Sequence, residues 1–254
     1  MFILLSAVAG FSAPGEQPAS SPAREIQLVW SANYDHGEQV FFSRYKEDHW
    51  TIPVQISESK KFVFKPVSAA GDDGKIWVVW TESGKKGSSL KFSVYKNSRW
   101  SQAQPIETGM NDNRAVTVVV DTSGRPWLAW TGTKKTYSDV FWSRWNGTGW
   151  DTPEMAHAEN NVPDVNPELA IDDSGQVILS WQTYSGGKYR TIMQWWNGRQ
   201  WKILQPETKK NSEMKRVQVQ KNIPSFPEFI KEPQKATLFL RTKEGAWSVP
   251  LSRL

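Results

Sequence analysis

Tryptophan recurs along this chain at a fixed interval, and that interval limits the folds open to it. Trp30, Trp80, Trp130 and Trp181 are separated by 50, 50 and 51 residues, and Trp50, Trp100, Trp150 and Trp201 repeat the same three steps. Two anchors in lockstep define a structural repeat rather than one aromatic-rich site. The segments "EIQLVW", "KIWVVW", "RPWLAW" and "QVILSW" end on the first anchor; "FFSRYKEDHW", "KFSVYKNSRW", "FWSRWNGTGW" and "IMQWWNGRQW" end on the second without a gap. A fainter fifth copy, "ATLFLRTKEGAWSVPL", sets Trp247 at the second anchor.

Within each repeat the apolar residues alternate, which is the period of a strand. Ile26, Leu28 and Trp30 share one face, as do Ile76, Val78 and Trp80 in the next copy, while Trp77, Val79, Trp127 and Ala129 make the opposite face apolar as well. Strands of this kind are covered on both sides. Turn chemistry separates them: Asp72-Asp73-Gly74, Asp121-Thr122-Ser123-Gly124 and Asp172-Asp173-Ser174-Gly175 follow the short entering strand, and Asn146-Gly147 and Asn197-Gly198 precede the second anchor. Four strands per unit of about 50 residues, stacked so that neighbours cover both faces, predict an all-β fold: a β-propeller of five blades, each of four antiparallel strands, with a degenerate last blade. Blade one lacks a clear innermost strand, and Pro224, Pro227 and Pro233 interrupt blade five. All fifteen tryptophans can be read as blade packing.

The chain has no cysteine, so disulfides contribute nothing to it. Its first residues, "MFILLSAVAGFSAPGEQPASSPA", carry an apolar run from Phe2 to Phe11 and a small-x-small triplet at Ala7-Val8-Ala9. We expect residues 1–22 to be a signal peptide and linker, residues 23–254 to be a single propeller domain, and the protein to be secreted or periplasmic. No later segment is apolar enough to span a bilayer, so no transmembrane segment is expected. A formal charge of +5 favours anionic partners only where it clusters, and together with export it argues against nucleic acid.

The D-x-G-x-x-W of Asp72, Gly74 and Trp77, its looser form at Asp121, Gly124 and Trp127, and the "WNG" of Trp145 and Trp196 resemble propellers with Asp-box or BNR-like repeats. These belong to the sialidase-like superfamily in the broad sense, with a looser similarity to five-bladed tachylectin-type lectins. The resemblance covers residues 24 to 254 and implies a blade, not a ligand. A sialidase would have six blades, an arginine triad, and a Tyr nucleophile paired with Glu. No such triad can be assigned among Arg44, Arg114, Arg144, Arg190 and Arg216, and Arg44 and Arg144 sit in strand register as scaffold.

Function is best sought in what the repeats do not share. Tyr34, Tyr137, Tyr184 and Tyr189 fall between the second and third strands of their blades, and cations collect at the same place: Lys85 and Lys86, Lys134 and Lys135, Lys188 and Arg190. Blade one offers His36 there, and Arg114 lies in the adjoining connection between blades. Antiparallel geometry puts all of these on one end of the propeller. We therefore expect a basic, tyrosine-bearing loop face that recognises a glycan or a partner protein without catalysis, cofactor or metal. Two alternatives are a sialidase-like glycoside hydrolase, drawing on carboxylates such as Asp35, Glu82, Asp139 and Asp164, and a structural subunit of a periplasmic or cell-surface assembly. His36, His49 and His157 show no metal-ligand spacing. The connection "EMAHAENNVPDVNPE" is rich in oxygen ligands and reads as an ordinary loop.

Overall fold

The computed structural model describes residues 25–34, 37–85, 87–204, 227–242 and 245–253. The expected leader, His36, Lys86 and much of the proline-rich stretch before residue 227 lie outside them. The first repeat forms β1 (Glu25–Tyr34), β2 (Gly37–Lys46), β3 (His49–Trp50) and β4 (Val54–Gln55). The second forms β5 (Phe62–Ala70), β6 (Ile76–Gly84), β7 (Gly87–Lys96), β8 (Arg99–Trp100) and β9 (Gln104–Ile106). The third gives β10 (Asp112–Val120), β11 (Pro126–Thr133), β12 (Ser138–Arg144) and β13 (Glu154–Met155). The fourth gives β14 (Asp164–Ile171), β15 (Val177–Ser185), β16 (Lys188–Trp196) and β17 (Trp201–Ile203), and the chain ends on β18 (Ala236–Thr242) and β19 (Gly245–Pro250). Every pairing is antiparallel, and strand order within a blade follows chain order, β5-β6-β7-β8 or β10-β11-β12-β13. The fold is an all-β propeller, and each of the first four repeats contributes one antiparallel blade.

The faint fifth copy departs from the repeat. β18 lies against β1, with Leu28 opposite Leu238 and Ile26 opposite Leu240, and so supplies the innermost strand that the first repeat lacks. β19 turns back along β18 and then pairs with β14 through Ala170↔Trp247 and Ile171↔Ala246. One hairpin thus joins the first blade to the fourth in a single ten-stranded sheet. The physical reason is edge satisfaction: an inner strand left unpaired on β1 would expose a row of amides and carbonyls.

The two tryptophan anchors do different work. The first lies inside its own sheet: Trp80 and Trp130 are fully buried, and Trp30 stacks between Phe41 and Phe229. The second ties blade to blade. Trp77 and Phe92 of the second blade meet Trp145 and Trp150 of the third at 5.1–5.9 Å, and Trp127 and Trp142 of the third meet Trp196 and Trp201 of the fourth at 5.1–5.9 Å. Edge-to-face ring contacts of this kind add about 0.5–1.5 kcal/mol each beyond area burial. Arg44 and Arg144 lie over Tyr95 and Trp127 at 5.3 and 5.1 Å, so both guanidinium groups are blade packing.

The aspartate turns close the other end. Asp121 Oδ1 accepts from the Ser123 amide and hydroxyl and from the Arg125 amide, and its Oδ2 accepts from Trp127 Nε1 at 2.8 Å. Asp172 repeats the pattern with Ser174 and Gln176. Gly74, Gly124 and Gly175 each take φ between 73° and 80°, where a side chain would be strained. In the second blade the register corrects the motif alignment. Gly71, not Asp72, holds the position of Asp121, because its amide bonds the Lys75 carbonyl as that of Asp121 bonds Arg125. Asp72 instead pairs with Arg241 of β18, so one carboxylate of the supposed repeat motif anchors the closing hairpin.

Burial alone would raise the Asp121 carboxyl, but hydrogen bonds from the Ser123 hydroxyl, the Trp127 indole and the Arg125 and Ser123 amides outweigh it and hold the group below its usual value of 3.8. A depressed folded-state pKa adds stability that is complete above the unfolded value and is lost as pH falls through the folded one. Asp121→Asn is therefore expected to lower stability by about 1 kcal/mol at pH 7, and the gap from wild type should narrow as the pH drops below about 4. Urea midpoints of both proteins at neutral and acidic pH check this.

Candidate functional site

The inner strands enter at one end of the propeller, and all three that follow a connection between blades carry the same irregularity there. Each has a β-bulge: between Phe64 and Val67 in β5, Arg114 and Thr117 in β10, and Val165 and Glu168 in β14. The bulged residues Lys65, Ala115 and Asn166 have φ of 40°, 49° and 54°. Asparagine tolerates this conformation, whereas lysine and alanine lose roughly 1 kcal/mol or more in it. The strain re-aims the strand ends. Between them lies a cavity of about 160 Å³, lined by Lys65, Ala115, Asn166 and Glu168 and by Thr237 and Ser248 of the terminal hairpin.

At the same end of the sheets stand the described residues singled out in the sequence. Tyr34 ends β1 and Tyr184 is the last but one residue of β15; Lys188, Tyr189 and Arg190 open β16, Arg114 lies in β10, and Lys85 sits in the β6–β7 turn. Only Lys134, Lys135 and Tyr137 occupy a longer loop, between β11 and β12. Several of the expected loop residues are thus strand ends, because two-residue hairpins carry the ladders to the tip. At Gly186-Gly187, with φ of 59° and 78°, the tight turn sets Tyr184 opposite Tyr189. Their rings meet edge-on at 5.2 Å. All four tyrosines are 39–58% exposed, whereas among the described residues no tryptophan is an exposed large side chain.

The basic character of the face is uneven. Arg114 is paired with Asp112 at 2.6 Å and Lys135 with Glu159 at 3.2 Å. Lys85, Lys134, Lys188 and Arg190 have no carboxylate partner among the described residues, and Lys188 and Arg190 flank Tyr189 in β16.

A second cluster on the same end shows no spacing motif in the sequence. Asp139 at the start of β12, Asp164 at the start of β14 and His157 in the connection between blades three and four bring donor atoms within 4.8 Å of one another. His157 stacks on Trp181, and Trp181 Nε1 donates to Asp164 Oδ1 at 2.7 Å. Burial raises the Asp139 carboxyl, the His157 ring opposes that, and the charges of Asp164 and Glu159 add to it. The blade alignment marks two of its members as unlike their counterparts, though not their meeting with Asp164. Asp139 and His157 occupy the places of Gln39 and Ser57 in the first blade, where Ser57 Oγ donates to Gln39 Oε1 at 2.9 Å in a closed neutral pair. Only in the third repeat does that pair become an acid and an imidazole.

No protein-family model matches the sequence, and no curated protein matches it. Solved structures do share its shape. A protein of unknown function from Dyadobacter fermentans aligns with a TM-score of 0.50 at 12% identity, over 88% of this chain and 74% of its own. The Hadza microbial sialidase aligns at 0.47 and 12% identity, over 82% of this chain and 50% of its own, so the chain spans half the length of that protein. The Aleuria aurantia lectin in complex with α-methyl-L-fucoside aligns at 0.41 and 14% identity, over 72% of this chain and 62% of its own. At such identities the likeness is one of fold alone. No helix among the described residues is long and apolar enough to cross a membrane.

The bulge strain is measurable. Ala115→Gly removes a Cβ from a left-handed conformation and should raise stability by about 0.5–1 kcal/mol, visible as a higher urea midpoint with an unchanged slope.

Proposed function

We propose that this protein is an exported propeller that binds carbohydrate, with a preference for anionic sugars, through the Tyr184–Tyr189 pair and the neighbouring Lys188 and Arg190. The observation that carries the proposal is the contrast in aromatic exposure. Among the described residues tryptophan is withdrawn into and between the blades, while tyrosine stands out at one end, in a facing pair, beside cations without carboxylate partners. A tyrosine ring offers an apolar face for the C–H side of a pyranose and a hydroxyl for its polar edge. The forked guanidinium of Arg190 matches a carboxylate or sulfate bidentately. The pair is held by a strand ladder rather than by a mobile loop, so little ordering entropy opposes binding.

Tyr137, Lys134 and Lys135 of the third blade and Tyr34 of the first extend the same end of the molecule and would contact further residues of a longer chain. Lys85 and Arg114 border it on the second and third blades. Export rests on the apolar stretch from Phe2 to Phe11 and its small-x-small triplet.

A glycan array followed by titration of the best sugar tests the assignment. Tyr189→Ala should weaken binding by about 10-fold or more, and Arg190→Ala should lower affinity and flatten its salt dependence. Full affinity in both variants, or no binding to any neutral or acidic glycan, would remove the site.

A further inference from the structure

We propose that Asp139, His157 and Asp164 form a binding site for a divalent first-row transition-metal ion, with Zn²⁺ the best fit, at the seam between the third and fourth blades. Three observations meet there. The first is the orientation of the imidazole. His157 Nδ1 lies 2.8 Å from the Ala158 carbonyl oxygen, which can only accept, so Nδ1 is the donor there and Nε2 is the ring atom turned inward. It faces Asp164 Oδ2 at 3.5 Å and Asp139 Oδ1 at 3.9 Å.

The second is the absence of internal satisfaction. The His157 and Asp164 side chains are 10% and 2% exposed, yet His157 Nε2 and Asp139 Oδ1 have no hydrogen-bond partner. Buried polar atoms of native proteins are paired, and an orphaned pair aimed at one point requires a reason. The separations are too long for hydrogen bonds, but donors around an ion bonded at 2.0–2.2 Å stand about 3.0–3.5 Å apart. With all three donors inside 4.8 Å of one another, a point between them is at most about 2.8 Å from each, and small side-chain rotations close the rest. One imidazole nitrogen and two carboxylate oxygens suit Zn²⁺ better than Ca²⁺ or Mg²⁺, which take oxygen alone.

The third is the outer shell. The ring is oriented by its Nδ1–H bond to a backbone carbonyl, and Asp164 is fixed by Trp181 Nε1 at 2.7 Å and by Asn160 Nδ2 at 2.7 Å. Metal ligands are supported in this way, through second hydrogen bonds that set tautomer and direction. The aligned position in the third blade shows the alternative: there Asn113 replaces the aspartate, and its amide donates to the Ser88 and Met110 carbonyls, leaving nothing negative to compensate. A bound ion would fasten the fourth blade to the third through three chain segments and leave a coordination position open toward the loop end.

The site is independent of the carbohydrate reading and is tested without sugar. Chelator-stripped protein titrated calorimetrically with Zn²⁺ near pH 7.5 should take up one equivalent, with a dissociation constant below about 10 μM. Co²⁺ should give visible d–d absorption. His157→Ala should weaken Zn²⁺ binding more than about 100-fold and abolish the Co²⁺ bands, while His49→Ala, at the opposite end, should bind as wild type. Should His157→Ala lose its near-UV dichroism, Asp139→Asn keeps the side-chain volume and should show the same loss of binding. No stoichiometric uptake by the wild type, or uptake unchanged in the folded variant, overturns the proposal.

Discussion

The antiparallel pairing of β18 with β1 is the constraint on which the propeller depends. Blades two, three and four each contain an inner strand of their own, so repetition alone stacks them. The first does not, and without β18 its Leu28 and Ile26 ladder would end in open amides. β19 then bonds the inner strand of the fourth blade, and the same hairpin is pinned from the side by Arg241 to Asp72 and by Ser248 Oγ to the Ser68 carbonyl at 3.1 Å. Residues more than two hundred positions apart thus come together in one ladder. Joining ends so distant carries an entropic cost that rises only logarithmically with chain length, and the buried Leu238, Phe239 and Leu240 offset it.

Once the ring is closed, the aromatic seams give it rigidity. Trp100, Trp150 and Trp201 of the second anchor touch the preceding blade, so the outer hairpins of blades two, three and four are bound to a neighbour's sheet. That rigidity is what a recognition face needs. Tyr34, Tyr184 and Tyr189 ride on strand ladders fixed by tryptophans elsewhere in the same blades, and the bulged ends of β5, β10 and β14 border one cavity. Scaffold and site are therefore built from different aromatic residues at different ends of the same strands.

Much of this was legible in the repeat. The lockstep of Trp30 and Trp50 with their counterparts gives the blade, its strand order and the end at which the variable residues stand. Three things were not legible, each for a physical reason. The bulged residues Lys65, Ala115 and Asn166 share a backbone conformation and no side-chain chemistry, so no motif marks them. The closing role of 236–250 depends on which edge lacks a partner, a property of the whole ring and not of the local "ATLFLRTKEGAWSVPL". The gathering of Asp139, His157 and Asp164 is made by a strand start, a connection between blades and the next strand start, and that spacing matches no helix-borne ligand pattern. The alignment of Asp72 with Asp121 slipped by one residue because two adjacent aspartates precede Gly74, and only the hydrogen bonds of Gly71 fix the register.

Hydrogen exchange resolved along the chain tests ring closure most directly. The amides of β18, Leu238 and Leu240 among them, should exchange as slowly as those of Val118 and Val119 in β10, and those of β1 should share that protection. Exchange of β18 at the rate of a fraying terminus, with β5 to β17 still protected, would contradict the closed ring and the site geometry built upon it.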